Sequence, residues 1–172
     1  MNLKVLIIGI IGIVVLLGIV FFVPKGGGGT PSSGVNEDAV FALSFQDSEG
    51  KSVSLADFKG KLLVVNSWAA WCPFCRDELP EFSAAQKELG DTVVIIAIDR
   101  AESLATTKKY TDEIGVTDSL VFWLDSKDTS YQTIGGFSMP ETIFIDKDGV
   151  IQDHKRGPME KEEIIQRIQA IL

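Results

Sequence analysis

The sequence predicts an α/β domain of three layers, in which helices cover both faces of a mixed central sheet. Two runs, LLVVNSWA at residues 62–69 and VVIIAID at residues 93–99, are apolar and rich in β-branched residues, as expected of strands buried on both faces. Residues 72–89 lie between them and have a helical period, which gives a strand–helix–strand unit. Residues 141–146 and 150–155 are typical of two strands joined by the turn KDG. A terminal hairpin after such a unit predicts the mixed sheet.

The remaining elements are short and are separated by turn residues. Further strands are predicted at 39–45, 52–55 and 120–125, and further helices at 102–114, 129–134 and 161–172. The first two strands flank QDSEGK, whose Asp, Ser and Gly suit a turn, so we expect them to form a leading hairpin. The last helix is amphipathic and is expected to close the domain.

The N-terminal segment predicts a membrane anchor. Residues 5–23 form an uninterrupted apolar run of 19 residues, and a helix of that length reaches roughly 28 Å, close to the hydrocarbon thickness of a bilayer. A secretory signal has a shorter apolar stretch, so residues 1–25 are expected to be a retained signal anchor, with cleavage at the following glycines as the alternative. Lys4 precedes the run and Lys25 follows it, and with the terminal amine this weak bias puts the N-terminus in the cytoplasm. The expected location is therefore a cell membrane, with the C-terminal part on the extracytoplasmic side.

Composition marks where the folded domain begins. Residues 26–34, GGGGTPSSG, have almost no side chain to bury and are expected to form a flexible linker. Residues 35–172 are long enough for one compact domain with a core. The whole chain has a net charge of −8, and because Lys4 and Lys25 are the only charged residues before residue 35, the domain carries −10. Such a charge makes a nucleic-acid partner improbable.

The motif WCPFC holds both cysteines of the chain and predicts a reactive dithiol. Cys72 follows a buried strand and opens a helix, so it is expected near the helix N-cap, where free backbone N–H groups and the helix dipole favour a thiolate. Pro73 suits the first helical position. We expect Cys72 to be open to solvent and to attack a disulfide, and Cys75, one turn deeper, to resolve the mixed disulfide. A structural disulfide and a metal site are the alternatives; a metal needs further ligands, and the one histidine, His154, has no partner cysteine.

Glu78 is a third candidate catalytic residue. At 100° per residue it falls within the apolar stripe that Cys75, Leu79 and Phe82 share. A carboxyl group on that stripe would be desolvated and its pKa raised, which would suit proton exchange with the deeper thiol. The alternative is that Glu78 tilts outward to solvent at the edge of the helix.

The segment NSWAAWCPFCRDELP resembles the active-site segment of the thioredoxin superfamily, and specifically its membrane-anchored TlpA/ResA-like reductases. The resemblance extends from about residue 39 to residue 172 and includes VVIIAID and SMPETIFIDKDG. It implies a thioredoxin-like three-layer α/β/α sandwich with an extra N-terminal hairpin and a central insertion, preceded by one transmembrane helix. Glu78 matches the glutamate that this branch places three residues after its second cysteine.

The resemblance also implies a substrate site. Trp71, Pro73 and Phe74 are expected to line it beside the cysteines, and Pro140 matches the family's cis-proline, which lies against the dithiol. The backbone of Met139 would then pair with an extended substrate segment.

Two residues depart from the family pattern. Asn66 stands where thioredoxin has a buried aspartate, so the proton-handling role is assigned to Glu78. Glu141 follows the cis-proline, where small or hydroxylated residues are common. Its carboxylate is expected either to repel acidic partners or raise a thiol pKa from beside the substrate groove, or to face solvent.

The function implied is a thiol-disulfide oxidoreductase without a cofactor. As in the membrane-anchored relatives, it is expected to reduce protein disulfides, for example those of apocytochrome c during cytochrome c maturation, and to draw electrons from a membrane thiol transporter. A disulfide oxidant of the same fold, or a tethered binding module with a structural disulfide, remains the alternative. The pattern typical of peroxide-reducing relatives is absent around Cys72.

Overall fold

The computed structural model describes residues 35–172, which form a seven-stranded sheet with helices on both faces. The strands are β1 (Phe45–Gln46), β2 (Ser52–Val53), β3 (Leu63–Trp68), β4 (Val94–Arg100), β5 (Val121–Asp125), β6 (Glu141–Ile145) and β7 (Ile151–Arg156). The α-helices are α1 (Glu37–Phe41), α2 (Pro73–Leu89), α3 (Leu104–Glu113), α4 (Thr129–Thr133) and α5 (Lys161–Gln169). The predicted anchor at 1–25 and the predicted linker at 26–34 lie outside these residues.

The sheet is mixed, as predicted. Its order is β2-β1-β5-β4-β3-β6-β7. Strand β3 pairs in parallel with β4, which pairs in parallel with β5, whereas β6 and β7 are antiparallel additions on the other side of β3. The central position of β3 places the residues that follow it, including the cysteines, at the middle of one sheet edge.

Alternate residues of the central strands enter two different cores. Val65 and Ile96 face the core beneath α1 and α4, whereas Val64 and Ile95 face the core beneath α2 and α5. Both faces are buried, which explains why β3 and β4 show no polar alternation. Since side chains alternate, Asn66 of β3 points with Val64 toward α2, and Trp68 joins the smaller cluster that contains both cysteines.

The first predicted strand is wrong in its extent. Residues 37–41 form helix α1, because Asn36 caps it by accepting a hydrogen bond from the N–H of Ala39 at 3.1 Å and acidic residues fill its first turn. Only β1 and β2 remain as an antiparallel pair. Leu55 is not in a strand either, since it opens a 3₁₀ turn (Leu55–Phe58) whose first N–H groups are capped by Ser54.

None of the helices within residues 35–172 has the length and the apolar content needed to cross a bilayer. The expected division into anchor, linker and domain stays a prediction.

Candidate active site

The two cysteines lie at the N-terminus of α2, as predicted. Cys72 is the N-cap residue, with an extended backbone (φ −89°, ψ 110°), and Pro73 occupies the first turn. Cys72 and Cys75 form a disulfide. The N–H of Cys75 donates a hydrogen bond to the sulfur of Cys72 at 3.2 Å. A free amide of the helix N-terminus therefore points at the sulfur that is expected to ionise.

The expectation that Cys72 is open to solvent is wrong for this disulfide form. Cys72 is 2% exposed and Cys75 is 0% exposed. Trp71 and Phe74, by contrast, are 62% and 58% exposed, and each immediately precedes one of the two cysteines in the chain. Because Cys75 has no exposed surface, a partner that reaches this disulfide must do so at Cys72.

Glu78 is buried and does not tilt out to solvent. It is 1% exposed, and its two carboxyl oxygens accept hydrogen bonds from the Asn66 side-chain amide and from the N–H of Met159, each at 3.0 Å. Desolvation by burial raises the pKa of Glu78 to about 8, although both hydrogen bonds act in the opposite direction. Cys75 lies one turn earlier on the same face of α2, where residues three apart are neighbours.

Asn66 connects three elements of the site. Its side chain is fully buried on β3 and donates both to Glu78 and to the hydroxyl of Thr142, each at 3.0 Å. The side-chain oxygen of Asn66 has no hydrogen-bond partner among residues 35–172. Unlike the aspartate of thioredoxin, this amide holds Glu78 in place without competing with it for a proton.

The predicted cis-proline segment packs against the cysteines. The Met139–Pro140 peptide bond is cis, as the resemblance implied. The Met139 side chain packs against the cluster that contains Cys72 and Cys75, and Pro140 is buried at the start of β6. The structure therefore brings Met139, from the segment before β6, to the cysteines at the start of α2.

Glu141 does not face solvent, which was one of the two expectations for it. It is fully buried, and one carboxyl oxygen accepts hydrogen bonds from the N–H groups of Phe137 and Ser138 at 2.6 and 2.7 Å. The other oxygen contacts His154 at 2.9 Å. Burial opposes ionisation of Glu141, but the hydrogen bonds from Ser138, Phe137 and His154 hold its pKa below the usual value. The Glu141 carboxylate thus binds the main-chain N–H groups just before the cis-proline.

The loop before Cys72 is held by a residue that the sequence did not reveal. The N–H of Ala70 donates to the carboxylate of Glu102 at 2.7 Å. Thr142 lies on β6, and the alternation of side chains along that strand could have indicated which face it takes. No sequence pattern indicated the contacts of Met159 and His154, because these contacts depend on how distant segments pack.

The profile of the family described as Redoxin matches residues 35–171. This chain belongs to the Redoxin family. It is 31% identical over 129 residues to the thioredoxin-like protein YneN of Bacillus subtilis (strain 168), covering 73% of this chain and 74% of that protein. It is 32% identical over 134 residues to thiol-disulfide oxidoreductase ResA of Geobacillus thermodenitrificans (strain NG80-2), covering 76% and 74%. The structure of the pneumococcal exposed lipoprotein thioredoxin Etrx1 from Streptococcus pneumoniae strain TIGR4 matches with a TM-score of 0.65 and 30% identity, over 74% of this chain and 98% of that one.

These matches confirm a ResA-like member of the thioredoxin superfamily within the Redoxin family. The thioredoxin-like α/β fold with a mixed sheet is likewise confirmed. With its Cys72–Cys75 pair, the chain is a thiol-disulfide oxidoreductase of the thioredoxin type. That the leading hairpin and the central insertion are additions to a smaller common fold stays a prediction.

Proposed function

We propose that this chain is a membrane-tethered, extracytoplasmic reductase of protein disulfides, with Cys72 as the attacking thiol and Cys75 as the resolving thiol. The observation that carries the proposal is the N–H of Cys75 directed at the Cys72 sulfur at the start of α2. Hydrogen bonding and the helix dipole both stabilise the thiolate, which is the nucleophile in disulfide exchange.

The exchange proceeds in two balanced steps. The Cys72 thiolate attacks one sulfur of the substrate disulfide, forms a mixed disulfide and releases the other substrate sulfur as a thiolate. Cys75 then loses its proton and attacks the Cys72 sulfur, which releases the second substrate thiolate. Two electrons have then passed to the substrate, whose two thiolates take their protons from solvent, and the Cys72–Cys75 disulfide of the structure is the product form.

Glu78 is assigned the proton transfer at Cys75. In the disulfide form its carboxyl group, with a pKa near 8, holds a proton at neutral pH. When a reductant opens the disulfide, Glu78 supplies that proton to the departing Cys75 thiolate. In the forward direction the resulting carboxylate takes it back as Cys75 attacks, which is general acid–base catalysis by one group.

The substrate is proposed to bind through its main chain. Within residues 35–172 neither the N–H nor the carbonyl group of Met139 has an intramolecular hydrogen bond, so both are left for an extended segment of a partner. Trp71, Pro73 and Phe74 are exposed at the start of α2 and supply side-chain contacts to the same segment.

The location is supported by the sequence and by one structural relative. The apolar run at 5–23 suits a single membrane span, and one structural relative is named an exposed lipoprotein thioredoxin. A reductase outside the cytoplasm needs a supply of electrons, so a membrane thiol transporter is the proposed donor. Apocytochrome c, with its paired cysteines, is the proposed substrate class.

Trapping tests the roles of the two cysteines. C75A should accumulate a mixed disulfide on Cys72 when mixed with an oxidised protein substrate, because the resolving thiol is missing. C72A, the matched control, should trap nothing. Absence of a trapped species with C75A would contradict the proposal.

The midpoint potential tests direction. A reductase is expected nearer the thioredoxin value of about −270 mV than the value of about −120 mV typical of a strong oxidant. A potential near the latter would make the chain an oxidant of the same fold, and a bond below about −300 mV that does not exchange with glutathione would make it structural.

A further inference from the structure

Phe137 is unusual among the described residues because it is exposed and yet firmly held. Its side chain is 87% exposed, the largest fraction among the exposed large apolar side chains of residues 35–172. It lies two residues before Met139, which places the two Cα atoms within about 7 Å of each other. Because Met139 packs against the cysteine cluster, Phe137 is at the edge of the proposed substrate site.

The main chain around Phe137 is fixed from two sides. The carboxylate of Glu141 accepts the N–H groups of Phe137 and Ser138, and hydrogen bonds to a carboxylate are stronger than those between neutral groups. In addition, the Tyr131 hydroxyl donates a hydrogen bond to the carbonyl oxygen of Ser138 at 2.8 Å. The ring of Tyr131 is itself covered by the guanidinium of Arg100 at 3.3 Å from its centroid.

Strand β7 provides two side chains that face the Glu141 carboxylate. His154 contacts one carboxyl oxygen at 2.9 Å, and Arg156 lies 3.3 Å from the other. Arg156 also reaches the carbonyl oxygen of Gly135 at 3.4 Å. Basic side chains face the buried carboxylate of Glu141, and the N–H groups of Phe137 and Ser138 bind it, so Glu141 offers no free charge to a partner. The part of this segment that a partner can contact is the exposed ring of Phe137.

We propose that Phe137 is a specificity-determining residue that contacts an apolar side chain near the reacting cysteine of an extended substrate segment, and that Glu141 is the positioning residue that holds it. The inference rests on the proposed function, since it needs a peptide substrate at Met139. A contact group whose backbone is already ordered costs less entropy on binding than a mobile one. An apolar partner is favoured because burial of the ring against it removes apolar surface from water.

The test uses the reduced full-length chain and two synthetic peptides, each with one intramolecular disulfide. They are identical except for leucine or glutamine two positions from the cysteine that is attacked. We expect the single-turnover rate constant for reduction of the leucine peptide, measured below saturation, to be about 5- to 10-fold higher, because this peptide binds more tightly. F137A should remove this preference, and E141Q should reduce it, because a neutral amide oxygen binds the two N–H groups less strongly. V150A, which changes an exposed apolar residue elsewhere, should keep it.

The reaction of each protein with 5,5′-dithiobis(2-nitrobenzoate), which has no peptide chain, reports the dithiol alone. An unchanged preference in F137A, or an F137A variant that is slowed equally with both peptides and with the small reagent, would overturn the inference. Loss of a wild-type dimer in F137A without any change in peptide kinetics would also overturn it, since Phe137 would then bind a second copy. If the wild-type protein reduces neither the peptides nor the small reagent, the proposed function itself fails.

Discussion

Asn66 donates a hydrogen bond to the carboxyl group of Glu78 at 3.0 Å, and both side chains are sealed from solvent between β3 and α2. This contact joins the strand that leads into the cysteines to the helix that carries them. It holds the acid one turn beyond Cys75 in a place where water cannot solvate its charge. The proposed proton transfer depends on this arrangement.

Burial of Glu78 predicts that stability falls as pH rises. The folded protein keeps a proton on Glu78 up to about pH 8, whereas an ordinary glutamate loses it near 4.5. Between these values the folded state binds more protons than the unfolded state, so the free energy of unfolding decreases by up to about 1.4 kcal/mol per pH unit. E78Q should lose this part of the slope in urea titrations of the oxidised protein. E81Q, a matched change on the same helix, should keep it.

The same substitution should alter the chemistry of the dithiol. In the reduced protein, Glu78 is expected to add an inflection to the pH profile of Cys75 reactivity, because the two groups share a buried face and exchange a proton. E78Q should remove that inflection while the circular dichroism spectrum is retained. Profiles that superpose for wild type and E78Q would exclude Glu78 from the mechanism.

Asn66→Asp restores the aspartate of thioredoxin but should be harmful here. It removes the donor to Glu78 and puts a second carboxyl group beside it, and two buried carboxylates at that distance cannot both ionise. We expect the variant to fold at pH 5 and to lose at least about 2 kcal/mol of unfolding free energy at pH 8 relative to wild type. Urea midpoints at the two pH values measure the difference, and equal midpoints for both proteins at pH 8 would contradict the role assigned to Asn66.

Trp71 and Phe74 should matter for substrates and little for stability. Since they are 62% and 58% exposed, each alanine variant should change the free energy of unfolding by no more than about 0.5 kcal/mol. In a C75A background, each should slow the trapping of a protein disulfide by about 5-fold, the loss of a single interface contact of roughly 1 kcal/mol. Trapping rates equal to those of C75A alone would remove these residues from the substrate site.

Local sequence patterns were sufficient to predict the part of the site that is formed by α2 and by the strand before it. The apolar run before Cys72 and the proline after it place the N-cap, and helical period puts Glu78 on the apolar face of the helix but leaves open whether its carboxyl group tilts out to solvent. Residues 39–41 were misassigned because β propensity was weighed there without the cap that Asn36 provides.

The contacts of Glu141 could not be predicted from local sequence patterns. Its contacts join the segment before Pro140 to His154 and Arg156, which the register of β6 against β7 brings into place. A glutamate at the start of a strand gives no sign in sequence that two amides and two basic side chains will surround it. The contact between Glu78 and the N–H of Met159 is likewise set by how the segment before α5 packs on α2.

Ionisation of Cys72 is the central claim, and the pH dependence of its alkylation tests it most directly. The reduced protein is treated with iodoacetamide from pH 4 to pH 9, and the modified cysteine is identified by mass spectrometry. We predict selective modification of Cys72, with its rate already close to the plateau at pH 7, because the helix N-terminus lowers its pKa from the value of about 8.5 of a free thiol. A rate that rises only around pH 8.5, or modification of Cys75 first, would contradict the account.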